Sequence, residues 1–253
     1  MELTVLGRYG PYPRPGGACS GYVLTDGAGY VLMDCGPGTV SRLLEQVPLG
    51  QLRGVVLSHL HFDHCSDMGI LRYALEQLGE REGGVLPLPV YAPTGPTDVA
   101  NALLKGDVLD VRHITPGTQA VIGGMTFDFY QMAHPVPTFG MMVTGGDGAK
   151  LFYTGDTGYF DALPELCRGA DALLADTCFV DADDNGKPLA HLTAGQAGGV
   201  AEAAGAGRLL CTHLWGGADR AATVEKEVDM PGAVVVQELG HYVVLPYEYK
   251  KEE

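Results

Sequence analysis

Short apolar runs of strand length, each closed off by glycine, aspartate, proline or a polar cluster, recur along this chain. In its second half they alternate with helical patterns, and that rhythm restricts the fold more than any other feature. Strands are predicted at residues 3–6, 21–25, 30–33, 54–57, 125–131, 140–144, 150–153, 172–175, 208–211, 233–236 and 242–245. Helical periodicity is clearest at residues 39–46, 68–78, 98–104, 194–204 and 218–228. Thr193, with Gln196 three residues on, forms a capping-box pattern at the start of the fourth helix. Tight turns such as Asp26-Gly27 join the early strands, whereas helices separate the later ones. That order predicts an α/β chain of mixed sheets packed face to face with helices outside. The Gly/Pro-rich stretch 79–96 reads as a surface connection and no repeat is visible, so one domain over residues 1–253 is expected.

Charge narrows the partners. Sixteen Lys and Arg against 31 Asp and Glu give a formal charge of -15, and the one cationic pair, Lys250-Lys251, sits against Glu252 and Glu253. Proteins that grip long nucleic acid carry a basic stripe, because phosphate contacts supply most of the affinity. A long polyanionic partner is therefore disfavoured, while a local metal charge could still hold one phosphate. The six cysteines form no CxxC pair and read as small buried hydrophobes or free thiols. No basic-then-apolar leader and no run of membrane-spanning length is seen, so a cytoplasmic protein without a membrane partner is expected.

Chemistry concentrates in Ser58-His59-Leu60-His61-Phe62-Asp63-His64, directly after the apolar run 54–57. Alternate side chains of an extended segment share a face, so His59 and His61 can bind one ion. Asp63 and His64 fall just beyond, where a turn could aim them at a second. Imidazole and carboxylate suit catalytic zinc, and the same donors take manganese or iron; four thiolates would have suggested a structural site. Three more donors stand just past predicted strands: His134 after 125–131, Asp156 after 150–153 and His213 after 208–211. That is where α/β sheets place their sites. His113 and His241 are left without a role. The pattern predicts a metallo-hydrolase that holds two divalent cations and uses them to activate water.

These residues resemble the metallo-β-lactamase superfamily across nearly the whole chain: the HxHxDH run, His134, Gly155-Asp156, the late His213, and Met33-Asp34-Cys35-Gly36, similar to the early D-x-G turn. The resemblance implies a four-layer αββα sandwich of two mixed β-sheets with helices on the outer faces. It further implies that His59, His61 and His134 hold one ion, that Asp63, His64 and His213 hold the other, and that Asp156 bridges them. Asp34 would be a buried carboxylate that braces the metal loop and is not a ligand. The carboxylate at Asp156 separates the chain from antibiotic-cleaving β-lactamases, which typically place cysteine there. His61, where the di-iron oxygen-reducing branch has glutamate, separates it from that branch.

Three further segments resemble the ribonuclease Z-like branch: His134-Pro-Val-Pro-Thr-Phe139-Gly140, Ala175-Asp176-Thr177-Cys178-Phe179 and His191-Leu192-Thr193-Ala194-Gly195-Gln196-Ala197. In that branch an acid and a histidine form a proton-donating pair, a role that maps onto Asp176 and His191, with Asp176 shorter than the usual glutamate. Long-form ribonuclease Z clamps tRNA with a flexible arm between the third His and the bridging Asp. Here only residues 135–155 lie between them, enough for two strands and a turn. The resemblance thus implies an armless relative acting on a small phosphodiester, a cyclic nucleotide or cyclic ribose phosphate. Asp63 would orient the attacking water, and His191, kept cationic by Asp176, would donate to the leaving oxygen. Alternatives are hydrolysis of a lactone, thioester or sulfate ester on the same site, or ribonuclease Z-like RNA processing; a non-enzymatic metal-binding protein is least favoured. Relatives are often dimers, which leaves a homodimer open. Residues 16–21, Tyr12 and Trp215 could approach the cleft or simply pack, and are assigned no site.

Overall fold

The computed structural model describes residues 1–82 and 87–247. Two seven-stranded sheets carry the fold. The first runs His241–Val243, Glu2–Gly7, Gly21–Thr25, Tyr30–Met33, Leu52–Val56, Leu88–Pro93, Leu109–Ile114. The second runs Ala233–Val235, Arg208–Thr212, Ala172–Asp176, Lys150–Tyr153, Phe139–Thr144, Met125–Gln131, Gln119–Ile122. Each sheet is antiparallel on one side and parallel on the other. Parallel neighbours need a crossover, and here helices supply it. Thr39–Gln46, Met68–Glu82 and Thr97–Leu103 serve the first sheet; Leu163–Leu166, Ala194–Ala204 and Ala221–Glu227 serve the second.

Strand periodicity explains the four layers. Val31 and Met33 point into a core shared with Phe127, Met141, Leu151 and Tyr153 of the other sheet. Leu32, between them, points out to meet Leu43, Leu71 and Leu75 of the first helical layer. Phe152 and Leu173 likewise face Val200 and Ala201 of the second. Strands buried on both faces between helical layers make the αββα sandwich that the sequence implied. Thr193 caps Ala194–Ala204 with the reciprocal Gln196 bond, and all six cysteines are free and buried.

The structure corrects the reading of residues 79–96 as a surface connection. The helix continues to Glu82 and Leu88–Pro93 is an inner strand of the first sheet, with residues 83–86 outside the described set. Prolines 87, 89 and 93 argued against a strand, since proline gives the ladder no donor. Edge strands Leu109–Ile114 and Gln119–Ile122 were also missed; Asp110, Arg112 and His113 make the first of these look like a loop, as charges on exposed edges do. The last helix begins at Ala221, three residues later than its periodicity suggested. Residues 135–155 hold only the hairpin of Phe139–Thr144 and Lys150–Tyr153 as regular structure, as anticipated.

Candidate metal centre

Side chains from the carboxyl ends of strands in both sheets meet at one rim of the sandwich. After Leu52–Val56 the chain bends at Ser58, is extended at His61 (φ −70°, ψ 147°), and then turns through the one-turn helix Phe62–Cys65. This stretch brings His59 Nε2 to 3.0 Å from His61 Nδ1, and His134 Nε2 lies 3.1 Å from the same atom. Asp156 Oδ2 is 3.5 Å from His59 Nε2 and 3.9 Å from His134 Nε2. Its other oxygen faces the opposite way, 3.2 Å from His64 Nε2 and 3.4 Å from His213 Nε2. Asp63 Oδ2 completes that half, 3.5 Å from His64 Nε2 and 3.3 Å from His213 Nε2. All seven expected donors therefore converge, in two groups on either side of Asp156.

The donor set fits divalent cations. His64 Nε2 and Asp156 Oδ1 are buried and lack any hydrogen bond although 3.2 Å apart. Such orphaned groups cost about 1–3 kcal/mol each unless something else binds them. The outer nitrogens of His134, His64 and His59 have partners that settle their tautomers. His134 Nδ1 donates to Ala190 O at 3.0 Å, leaving Nε2 with a free lone pair. His64 Nδ1 lies 2.8 Å from Asp34 Oδ2, and His59 Nδ1 is 3.0 Å from Ser58 Oγ, which itself donates to Asp34 at 2.9 Å. Asp34 also accepts from Ser58 N (2.7 Å) and Tyr153 Oη (2.6 Å). It is fully buried with a left-handed backbone (φ 56°). Two residues on, Gly36 must be glycine, because a Cβ would come within 1.9 Å of Asp63 O.

Electrostatics divides the imidazoles. Burial, reinforced by His64, pushes the His59 pKa well down, and burial lowers His61 and His134 as well, so these three stay neutral. Burial also opposes charge on His64 and His213, but Asp156 and the other carboxylates around them outweigh it and hold both well above the ordinary value. Against its own burial, Asp156 is held well below the usual carboxylate range by His213, His64 and His59. A cation in this half would take the place of those imidazolium protons.

Asp176 and His191 meet beside the cluster: His191 Nδ1 is 2.8 Å from Asp176 Oδ2 and 3.8 Å from Asp156 Oδ2. Asp176 also accepts from Thr157 N (3.2 Å) and Cys178 N (3.0 Å), and its Oδ1 lies 3.4 Å from His213 Nδ1. Burial works against the His191 cation, and Asp176 more than offsets it, raising the pKa. The His191 ring stacks on His213 (5.1 Å) and stands perpendicular to Phe179 (5.3 Å).

Two contributors were not singled out in the sequence. Gly10, paired beside Trp215, lies so close to His213 that a Cβ there would be 1.8 Å from Nε2; the Gly10-Pro11 step marks a turn but nothing in the sequence ties it to His213. Tyr153 was visible only as a strand residue, although a phenol on an inward face calls for a buried partner. Tyr12 lies against Gly216 and Gly217. His113 is exposed on an edge strand and His241 is exposed beside Thr4 and Glu2.

Residues 30–214 match the family model described as "Beta-lactamase superfamily domain". The chain belongs to this superfamily and, within it, to the hydrolases of the metallo-β-lactamase fold. It is 35% identical over 215 residues to the probable metallo-hydrolase YhfI of Bacillus subtilis (strain 168), covering 85% of this chain and 87% of that protein. The crystal structure of YhfI from Bacillus subtilis superposes with a TM-score of 0.88 at 31% identity, covering 95% of this chain and 98% of the other. The ribonuclease Z of Mycobacterium bovis (strain BCG / Pasteur 1173P2) is 30% identical over 241 residues, 84% of this chain and 85% of its own.

Proposed function

We propose that this hydrolase is a dinuclear zinc phosphodiesterase that cleaves a small phosphodiester, a cyclic nucleotide or a cyclic ribose phosphate. The observation that carries the reading is the Asp176–His191 pair, 2.8 Å apart and beside Asp156, since a donor for a leaving oxygen is what phosphodiester cleavage needs next to its metal ligands. His59, His61 and His134 would hold one cation, Asp63, His64 and His213 the other, with Asp156 shared. When bound, the two cations lower the pKa of a water and neutralise charge on the phosphate oxygens.

The chain's own residues do the rest. Asp63 accepts a hydrogen bond from the attacking water and so orients it. Asp176 keeps the Nδ1 proton on His191, which leaves Nε2 to donate its proton to the leaving oxygen. The ribonuclease Z relative favours RNA processing as a second reading; the short 139–153 hairpin and the charge of -15 count against a long RNA substrate. No helix among the described residues is long and apolar enough to cross a membrane, and six free thiols suit a reducing cytoplasm. Elemental analysis of protein purified without chelator, with assays on bis-p-nitrophenyl phosphate, cyclic nucleotides and lactones, tests the reading. Two zinc ions and phosphodiester turnover are expected; activity confined to lactones would remove it.

A further inference from the structure

Arg220 precedes the last helix and is far in sequence from Asp176 and His191, yet its guanidinium reaches their support. It sits 4.4 Å over the ring of Trp215, two residues after His213. Nη1 donates to Asp183 Oδ2 and to Cys178 O (3.5 Å), and Nη2 lies 3.4 Å from Asp183 Oδ1. The planar fork thus grips both carboxylate oxygens while stacked on an indole, geometry that lysine does not reproduce. The ion pair is mostly enclosed, with side chains 18% and 30% exposed.

Each gripped group leads back to the acid–histidine pair. The Cys178 peptide that offers its carbonyl to Arg220 follows the Cys178 N–H that donates to Asp176 at 3.0 Å. Phe179, next along, bonds through N–H to Leu192 O (3.3 Å) and accepts from Ala194 N (3.0 Å), while its ring stands against His191. Asp183 ties the same segment by accepting from Val180 N at 3.0 Å. Arg220 therefore fastens the backbone around Asp176 and His191 to the stretch leaving His213.

We propose that Arg220 is a positioning residue for proton donation: it holds the Asp176–His191 pair in register with the His213 side of the metal centre. This rests on the phosphodiesterase reading above. Misplacing a proton donor by a fraction of an ångström penalises poor leaving groups most, because good ones depart with little help.

The experiment uses zinc-loaded full-length protein and aryl phosphodiesters whose leaving groups run from p-nitrophenol to phenol. H191Q should steepen the dependence of kcat/KM on leaving-group pKa. R220M should steepen it in the same sense, losing roughly tenfold more on the phenyl than on the p-nitrophenyl ester, and H191Q/R220M should match H191Q alone. D183N removes the clamp from its other end and should reproduce R220M; it also stands in should R220M fail to fold or to retain zinc. A wild-type slope in both clamp variants, equal losses across the series, or a double variant that loses the product of the single losses would overturn the proposal. Wild-type protein inactive on the whole series would instead remove the phosphodiesterase reading and the proposal with it.

Discussion

Asp34 is fully buried, and four donors end on it: Ser58 N, Ser58 Oγ, Tyr153 Oη and His64 Nδ1. Outer carboxylates of this kind fix the ring and tautomer of the ligand they hold, and losing one costs about 10–100-fold in metal affinity. D34A should therefore weaken zinc binding by that order in chelator competition, and Y153F should weaken it less, because three donors remain. At Gly10 the problem is space. G10A drives a methyl into His213 Nε2, so the purified variant should carry less metal than the parent, read by elemental analysis. His191 can be tested by pH. Its pKa is raised chiefly by Asp176 against burial, and in the proposed mechanism it works while protonated, so activity should fall as pH rises through that raised value. D176N removes the raising charge and should bring the alkaline fall to lower pH, readable in a kcat/KM profile. The donors themselves were legible in the sequence because each follows a recognisable strand. Gly10 and Tyr153 were not, since their importance lies in what segments distant in the sequence, around His213 and Asp34, present to them.

Elements were legible where period and burial agree. Tyr30–Met33, Lys150–Tyr153 and Arg208–Thr212 are apolar on both faces, and their ends locate Asp34, Asp156 and His213. Leu88–Pro93 escaped because its prolines mimic a loop, although it pairs with Leu52–Val56, the strand that leads into the histidine run. The Thr193–Gln196 box was read correctly from four residues because capping is local chemistry. T193A should lower stability by about 1 kcal/mol in denaturant titration. A loss near zero would mean that packing of Ala197, Val200 and Ala201 holds the helix unaided.

At the scale of the molecule, the two sheets share an apolar core and also meet at the cation-binding rim, where residues from both are needed. Metal removal should therefore lower the unfolding temperature of the whole sandwich. The pH sign follows from His64 and His213, whose folded pKa values are raised by Asp156 and the other nearby carboxylates against burial. In metal-free protein their contribution is full below the unfolded value of about 6.5 and is lost as pH rises through the raised values. The gap in unfolding temperature between zinc-loaded and chelator-treated protein should thus widen from weakly acid to weakly alkaline buffer; a gap independent of pH would show that these imidazoles hold no proton for the cation to displace.

Asp156 turns one oxygen to each half of the centre. On the proposed two-cation reading, a cation that fixes this carboxylate also aims its free oxygen for a second, which works against the repulsion between the two. The two halves would then be linked through one side chain, and damage to either should lower occupancy of the other.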